Sequence, residues 1–148
     1  FDDHPLMCGL TYSAHPISCA AGIATINVYK EENLLQNSKN MGKVLGEELE
    51  KLKEKHACVG DLRYIGLFSA VELVKDKKTK EALVPYGSDP ERIMPKIIKM
   101  LFEKGFSTYS HENNVIVAPP LIIKEDELKE AMLVLDDVLG WVDSYVAN

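Results

Sequence analysis

The residues best suited to bind an anion lie between Gly9 and Pro16. Two hydroxyl groups (Thr11 and Ser13), the phenol of Tyr12 and the imidazole of His15 stand just ahead of a predicted helix. Hydroxyls and free backbone N–H groups at a helix N-terminus form a ready site for phosphate or carboxylate. The structural alternative is that Ser13 only caps the helix and Thr11 only turns the chain. Capping is the commoner role, so local chemistry alone favours that alternative.

Two further side chains could carry chemistry. Arg63 lies in an apolar strand pattern, where a charge must be paired or must reach a ligand. The structural interpretation is an ion pair with Asp61, Glu72 or a neighbouring helix. His15 could act as an acid or a base, but no carboxylate lies at a fixed short spacing that would orient it, so a packed turn histidine is the simpler prediction.

Composition limits the class of protein. The 148 residues carry 17 basic and 23 acidic side chains, and a net charge of −6 argues against nucleic acid or an anionic membrane as a partner. No apolar run of about 18 residues and no export signal is visible, which predicts a soluble, cytoplasmic protein. Cys8, Cys19 and Cys58 lack metal-ligand spacing, so we expect reduced thiols and no metal site. Because the chain starts at Phe1, we expect a piece of a longer protein.

Helices must position these groups. The first predicted helix runs from Ile17 to Lys30, with Ser13 as its N-cap and Pro16 in its first turn. Small or apolar residues occupy nearly every side of it, so we expect burial all round, in part against a partner. A second helix starts after Asn33 as its cap and ends near His56. Its apolar stripe comprises Leu34, Met41, Leu45, Leu49 and Leu52.

Strand patterns follow. Residues 59–74 are rich in β-branched and aromatic residues and predict one long strand bent at Gly66, or two short strands. Two more strands are predicted at Phe106–Tyr109 and Val115–Val117, joined by a hairpin turn over residues 111–114.

Two helices complete the pattern. A third helix ends at Gly105, which acts as its C-cap, and the last helix covers Glu125–Val146. The third helix carries its stripe on Ile93, Ile97, Ile98, Leu101 and Phe102, and the last on Leu128, Met132, Leu135, Leu139 and Val142. The element order predicts an α+β fold, a small and mostly antiparallel sheet of three to four strands with helices on one face. No linker is visible, which predicts one domain.

Three segments resemble motifs of one family. GLTYSAHPISCAA at 9–21 resembles G-x-T-[YF]-x-G-H-P-x-x-C/A-A-A of the class III aminotransferases, which are pyridoxal-phosphate enzymes of fold type I. LRYIGLFSAVEL at 62–73 is similar to V-R-G-x-G-L-M-x-G-I-E-L of the same family. VAPPLII at 117–123, followed by EDEL at 125–128, resembles APPL-x-I-T-x-E-E-[LI] near its C-terminus. The motifs occur in the same order as in the family. Their amino-acid sequence most resembles that of taurine–pyruvate and other ω-amino acid–pyruvate members.

The resemblance implies that the chain contains parts of two domains and that most of the active site lies outside it. Residues 1–32 would be the end of the large domain, a dimer-contacting segment, and residues 33–148 the C-terminal small domain. The Schiff-base lysine and most of the site for pyridoxal 5'-phosphate would lie upstream, so no catalytic residue is expected in this chain. Thr11 matches a family threonine that contacts the phosphate of a cofactor bound mainly by the other subunit of a homodimer, and Tyr12 lies beside it.

Departures from the family pattern narrow the expected substrate. Ala14 and Tyr64 replace glycines and remove no functional group. Some members carry a carboxylate-binding arginine where Ile116 stands, and the preceding hairpin, residues 107–114, has no arginine either. No other side chain in this segment can bind a carboxylate with two parallel hydrogen bonds as arginine does. The missing arginine therefore argues against a site of the 2-oxoglutarate or ornithine type.

The expected parent enzyme transfers an amino group between an ω-amino acid or amine and a 2-oxo acid, with pyruvate as the acceptor. The chain alone should be inactive. The alternatives are a related aminomutase or another class III transaminase, and, from a different class of protein, a non-catalytic interaction module.

Overall fold

The computed structural model describes residues 3–4 and 9–147, which form two compact units. One lies within Phe1–Leu34 and the other within Leu35–Asn148. The chain is therefore not one compact unit, although no linker is visible in its sequence, and the assignment of residues 1–32 to a large domain and of residues 33–148 to a small domain stays a prediction. The boundary falls where one helix gives way to the next, and such a junction needs no Gly-, Pro- or Ser-rich segment. Within the described residues, no helix has both the length and the apolarity required to cross a bilayer.

The first unit contains helix α1 (Pro16–Glu31), preceded by a turn. Its N-cap is His15, whose backbone is extended (φ −61°, ψ 125°). A residue before proline is held in this region, so Pro16 at the first helical position makes His15 the cap. The prediction of Ser13 as N-cap is therefore wrong. The N–H of Ser13 instead donates to the Leu10 carbonyl at 2.9 Å within the turn.

The surface of α1 is exposed along its whole length. None of its residues is buried, and Ile17, Ile23 and Ile26 are among the exposed apolar side chains. The helix itself is confirmed, but the chain does not bury it as its apolar composition predicted. Burial against a partner stays a prediction.

The second unit is an α+β layer, as predicted. Its helices are α2 (Leu34–Lys55), α3 (Ile93–Glu103) and α4 (Glu125–Val146), and its strands are β1 (Val59–Ile65), β2 (Phe68–Asp76), β3 (Glu81–Ala82), β4 (Ser110–His111) and β5 (Asn114–Val117). Every strand pair is antiparallel, in the order β1-β2-β5-β4, with β3 paired to β2. The sheet thus has five strands where three to four were expected, because β3 has only two residues and leaves no periodic signal.

Segment 59–74 forms two strands, β1 and β2, and not one bent strand. Gly66 in the turn between them has a φ of +54°, a backbone conformation that glycine adopts without steric cost. The prediction of a strand at Phe106–Tyr109 is wrong. The paired segment is β4, which begins only at Ser110, because the two-residue turn of Glu112 (φ 50°) and Asn113 pairs His111 with Asn114.

The core lies between one face of the sheet and the three helices. In the register, Leu62, Val71 and Val115 form one row across β1, β2 and β5, and the last two are almost completely buried. The helices contribute the predicted stripes, with Leu45, Leu49, Leu52, Ile93, Ile97, Leu101, Leu128, Met132, Leu135, Leu139 and Val142 all buried. Phe102 is an exception at 68% exposure. Helix α3 is capped by Lys104, and Gly105 follows the cap with a φ of +86°.

Helix α2 approaches the β1–β2 turn so closely that only glycine fits at the contact. A Cβ on Gly42 would lie 2.6 Å from the Cα of Gly66, well inside the distance that two carbon atoms tolerate. The atoms met there are backbone, which cannot rotate away. The glycines at positions 42 and 66 together set the spacing between helix and hairpin.

We therefore predict that Gly42→Ala lowers the free energy of unfolding by about 1–3 kcal/mol, because the strain of overpacking exceeds alanine's helix-propensity advantage of about 1 kcal/mol. Urea unfolding followed by circular dichroism measures the loss. Gly140→Ala in α4 is the matched control, since its Cβ would meet only the His56 ring at 4.0 Å. The control should be neutral or stabilising by up to about 1 kcal/mol. Equal stabilities of the two variants would refute the close-contact argument.

Candidate functional site

The anion-binding candidates occupy the turn before α1. Thr11 and Tyr12 are both exposed, and the Tyr12 ring meets the His15 ring edge-on, with centroids 6.0 Å apart. The N–H of His15 donates to the Tyr12 carbonyl, and Ala14 has a φ of 58°. The turn therefore packs His15 against Tyr12, in agreement with the prediction of a packed turn histidine.

Donors are available at the start of α1. The first backbone bond there runs from the Cys19 N–H to the His15 carbonyl at 3.0 Å, and His15 makes no side-chain cap. The N–H groups of Ile17 and Ser18 thus point out of the first turn, as at any helix N-terminus. The exposed Thr11 hydroxyl adds a donor that can rotate toward a ligand. These groups fit one side of a phosphate.

Arg63 lies in an ion cluster that spans three strands. Its guanidinium donates to Glu72 on β2 at 2.8 Å, to Asp61 on β1 at 3.4 Å and to the Asn114 side chain on β5 at 2.6 Å. The predicted pairing with Asp61 and Glu72 is confirmed, and Asn114 is a partner that the sequence did not indicate. The backbone N–H of Leu62 is the main cause that holds the pKa of Asp61 below its ordinary value. One cation shared by two carboxylates offers little attraction for a further anion.

Ile116 shares a cross-strand row with Arg63. Arg63 pairs with Ala70, and Ala70 pairs with Ile116, so all three lie on the sheet face opposite the core row. Ile116 is therefore on the same face as the one arginine of β1, but it offers no polar atom of its own. Ile116 is itself buried, at 8% exposure, and is apolar at the position where the resemblance implies an arginine in some members of the family.

A second charged cluster was missed at the sequence level. His56 is buried, and its Nδ1 and Nε2 atoms each lie 2.7 Å from a carboxylate of α4, Asp143 and Asp136 respectively. The signal that could have indicated it is the seven-residue spacing of the two aspartates, which places them two turns apart beside the buried stripe of α4. Chemically, the cluster joins the end of α2 to the last half of α4.

The two described cysteines differ in their exposure to solvent. Cys58 is buried, and burial, followed by the hydrogen bond to Asp143, raises the pKa of its thiol far above the ordinary value, so it is not a nucleophile. Cys19 is exposed on α1, while Cys8 lies outside the described residues. Within residues 3–4 and 9–147, no group of three or more His, Cys, Asp or Glu side chains could hold a metal ion.

Known proteins match nearly the whole chain. The family profile described as aminotransferase class-III matches residues 3–139. The chain is 46% identical to a taurine:2-oxoglutarate aminotransferase from Bifidobacterium kashiwanohense, solved in complex with PLP and glutamate, with a TM-score of 0.90. It is 38% identical over 120 residues to an adenosylmethionine-8-amino-7-oxononanoate aminotransferase of Methanocaldococcus jannaschii. It is 36% identical over 132 residues to ethanolamine-phosphate phospho-lyase homolog 1 of Caenorhabditis elegans.

These matches cover most of this chain but only part of each relative. The alignments include 99% of the chain for the Bifidobacterium structure, 81% for the Methanocaldococcus protein and 87% for the Caenorhabditis protein. They include 32%, 25% and 27% of those proteins. The chain thus spans between a quarter and a third of the length of the relatives it matches, and it corresponds to their C-terminal part.

Proposed function

Because the chain belongs to the class III aminotransferase family, we propose that the protein containing it transfers an amino group between an ω-amino acid or amine and a 2-oxo acid. The observation that carries this proposal is the 46% identity, over 99% of the chain, to a taurine:2-oxoglutarate aminotransferase. Taurine carries its amino group at the end remote from its acidic group, which is the ω-amino donor class. We further propose a cytoplasmic homodimer, and the exposed apolar surface of α1 supports a partner that covers it.

The cofactor in this proposal is pyridoxal 5'-phosphate, which supplies an electron sink for the substrate carbon when it is bound. In this chain, the Thr11 hydroxyl would donate a hydrogen bond to a phosphate oxygen, with Tyr12 beside it. The unsatisfied N–H groups at the start of α1 favour negative charge in the same place. The exposure of Thr11 and the absence of a side-chain cap on α1 support this role, since no competing partner is seen for either in the described residues.

We assign no catalytic residue to this chain. A covalent lysine must be desolvated or placed beside another cation to lose its proton. The lysines in the described ion pairs have the opposite environment. The hydrogen bond to Glu125 raises the pKa of Lys129, and Lys55 donates to Asp136 at 2.6 Å. The proposed reactive lysine therefore lies in a part of the protein outside this chain.

Two acceptors are supported by different observations. Pyruvate is favoured by Ile116, because a second carboxylate on the acceptor would find no arginine at this position of the sheet face. The acceptor in the description of the Bifidobacterium relative is 2-oxoglutarate, which makes that compound the second candidate. A carboxylate site for it would have to use residues outside this chain. The phospho-lyase among the relatives supports a third outcome, elimination with no acceptor.

The phosphate contact predicts a loss of cofactor affinity. In the full-length protein, Thr11→Ala should weaken binding of pyridoxal phosphate about 10- to 150-fold, since one hydrogen bond to a charged group contributes about 1.5–3 kcal/mol. Thr11→Ser keeps the hydroxyl and should stay within about three-fold of the wild type, or about 0.7 kcal/mol. Equilibrium dialysis with cofactor absorbance measures both. Equal affinities of the alanine variant and the wild type would contradict the proposed contact.

Acceptor choice tests the argument from Ile116. With taurine as donor, we expect kcat/KM of the wild type to be higher for pyruvate than for 2-oxoglutarate. Ile116→Arg should shift the ratio of the two kcat/KM values toward 2-oxoglutarate by about 10-fold or more, because one charge-assisted hydrogen bond contributes about that much to binding. Ile116→Leu is the control. A wild-type preference for 2-oxoglutarate would reject pyruvate in favour of the second candidate. Ammonia release without any 2-oxo acid would reject transamination.

The third prediction concerns the 148-residue chain alone. Mixed with pyridoxal phosphate and an amino donor, it should show no turnover, and borohydride treatment should attach the cofactor to no single lysine. A solvated lysine side chain that nothing activates is a weak nucleophile, so any labelling should be slow and scattered over many sites. Peptide mass spectrometry locates the label. Stoichiometric labelling of one lysine together with turnover would place the active site within the chain.

A further inference from the structure

His56 lies among charged and polar groups of α2, α4 and the chain that leads into β1. It directly follows α2, whose last residue, Lys55, donates to Asp136 on α4 at 2.6 Å. The His56 ring contacts Asp136 through Nε2 and Asp143 through Nδ1. On the chain leading into β1, the Cys58 backbone N–H donates to the other oxygen of Asp143 at 2.8 Å. The side chain of His56 is only 4% exposed, whereas the side chains of Asp136 and Asp143 are about a quarter exposed.

The hydrogen-bond pattern determines where the protons lie. An ionised carboxylate can only accept, so each ring nitrogen facing one must donate. The hydrogen bond from Lys55 is the main cause that holds the pKa of Asp136 below its ordinary value, and the hydrogen bond from His56 is the second. Burial alone would raise the pKa of Asp143, but the Cys58 N–H and His56 outweigh it and lower that pKa. With both aspartates ionised, each ring nitrogen can bond to its carboxylate only by donating, and the distances of 2.7 Å are those of charge-assisted bonds.

We propose that His56, held as an imidazolium between Asp136 and Asp143, forms a pH-sensitive latch that fastens the α2–β1 junction to the second half of α4. Together with Lys55, the latch contains two positive and two negative charges and is neutral when closed. It involves none of the residues assigned to cofactor binding, so it is a property of the fold and independent of the proposed reaction.

The latch opens in acid. The folded pKa values of the two aspartates are lowered, so their contribution to stability is fully present above the ordinary Asp pKa and is lost as pH falls through the lowered values. Protonation of either aspartate removes the negative charge that the facing nitrogen of His56 contacts.

Nitrogen NMR of the chain labelled with ¹⁵N-histidine tests the charge state. An imidazolium has two ring nitrogens with nearly equal shifts, whereas a neutral ring has two widely separated ones. At neutral pH, we expect both ring nitrogens of His56 to carry a proton, because each lies 2.7 Å from a carboxylate oxygen. A neutral ring at that pH would overturn the proposal, because one ring nitrogen would then face its carboxylate without a proton.

Amide exchange reports whether the latch is closed. The Cys58 N–H, bonded to Asp143, should exchange slowly at neutral pH and at least about 10-fold faster in His56→Gln, which can donate to only one of the two carboxylates. Lys51→Gln is the matched control, because it removes an exposed cation of α2 that pairs with Glu48 and leaves the contacts of His56 intact. We expect it to change the exchange rate less than about three-fold. An unprotected Cys58 amide in the wild type, or equal rates in both variants, would refute the latch.

Discussion

The two-residue repeat of the central strands is the constraint on which the rest of the second unit depends. Across β1, β2 and β5 the row of Leu62, Val71 and Val115 faces the core, so the next row, Arg63, Ala70 and Ile116, must face the other way. Burying the first row requires apolar cover on one side only. Helices α2, α3 and α4 provide that cover. The opposite face carries the ion pairs of Arg63 and the side chain of Ile116.

Covering one face brings three helices into contact with a small sheet, and the junctions decide how well they fit. In the first half of α2, the glycines at 42 and 66 allow close contact between the helix and the β1–β2 turn. At its C-terminal end, α2 stops at Lys55, and the chain enters β1 through His56 and Cys58, both bonded to Asp143. Packing holds the first half of the helix, and charged groups hold its C-terminal end. The packed part is insensitive to pH, whereas the charged end is not.

Sequence patterns predicted the elements whose residues repeat over several turns. The stripe of α4 from Leu128 to Val142 is buried as expected, and the helix bounds Glu125–Val146 agree with the structure. Predictions failed where a single residue or a very short segment decides the outcome. Pro16 makes His15 the cap of α1, the turn at Glu112 places β4 at Ser110–His111 after the predicted strand, and β3 is too short to show a period.

The candidate site was predictable only in part, because its partners come from distant positions in the sequence. Arg63 was expected to pair within the sheet and does, but the contribution of Asn114 depends on the alignment of β5 with β2. His56 has partners 80 and 87 positions away, a separation that no local pattern covers.

The contrast between the two units bears on how Thr11 could function. The second unit buries a continuous core of its own, whereas α1 buries no residue. A phosphate held only by an exposed hydroxyl and a helix N-terminus competes with water at every donor, and such a contact is weak at full exposure. The proposed Thr11 contact would gain strength only if a surface that covered α1 also excluded water from the turn before it. Cover for α1 and cofactor binding at Thr11 are therefore expected to depend on the same contact, and weakening either should weaken both.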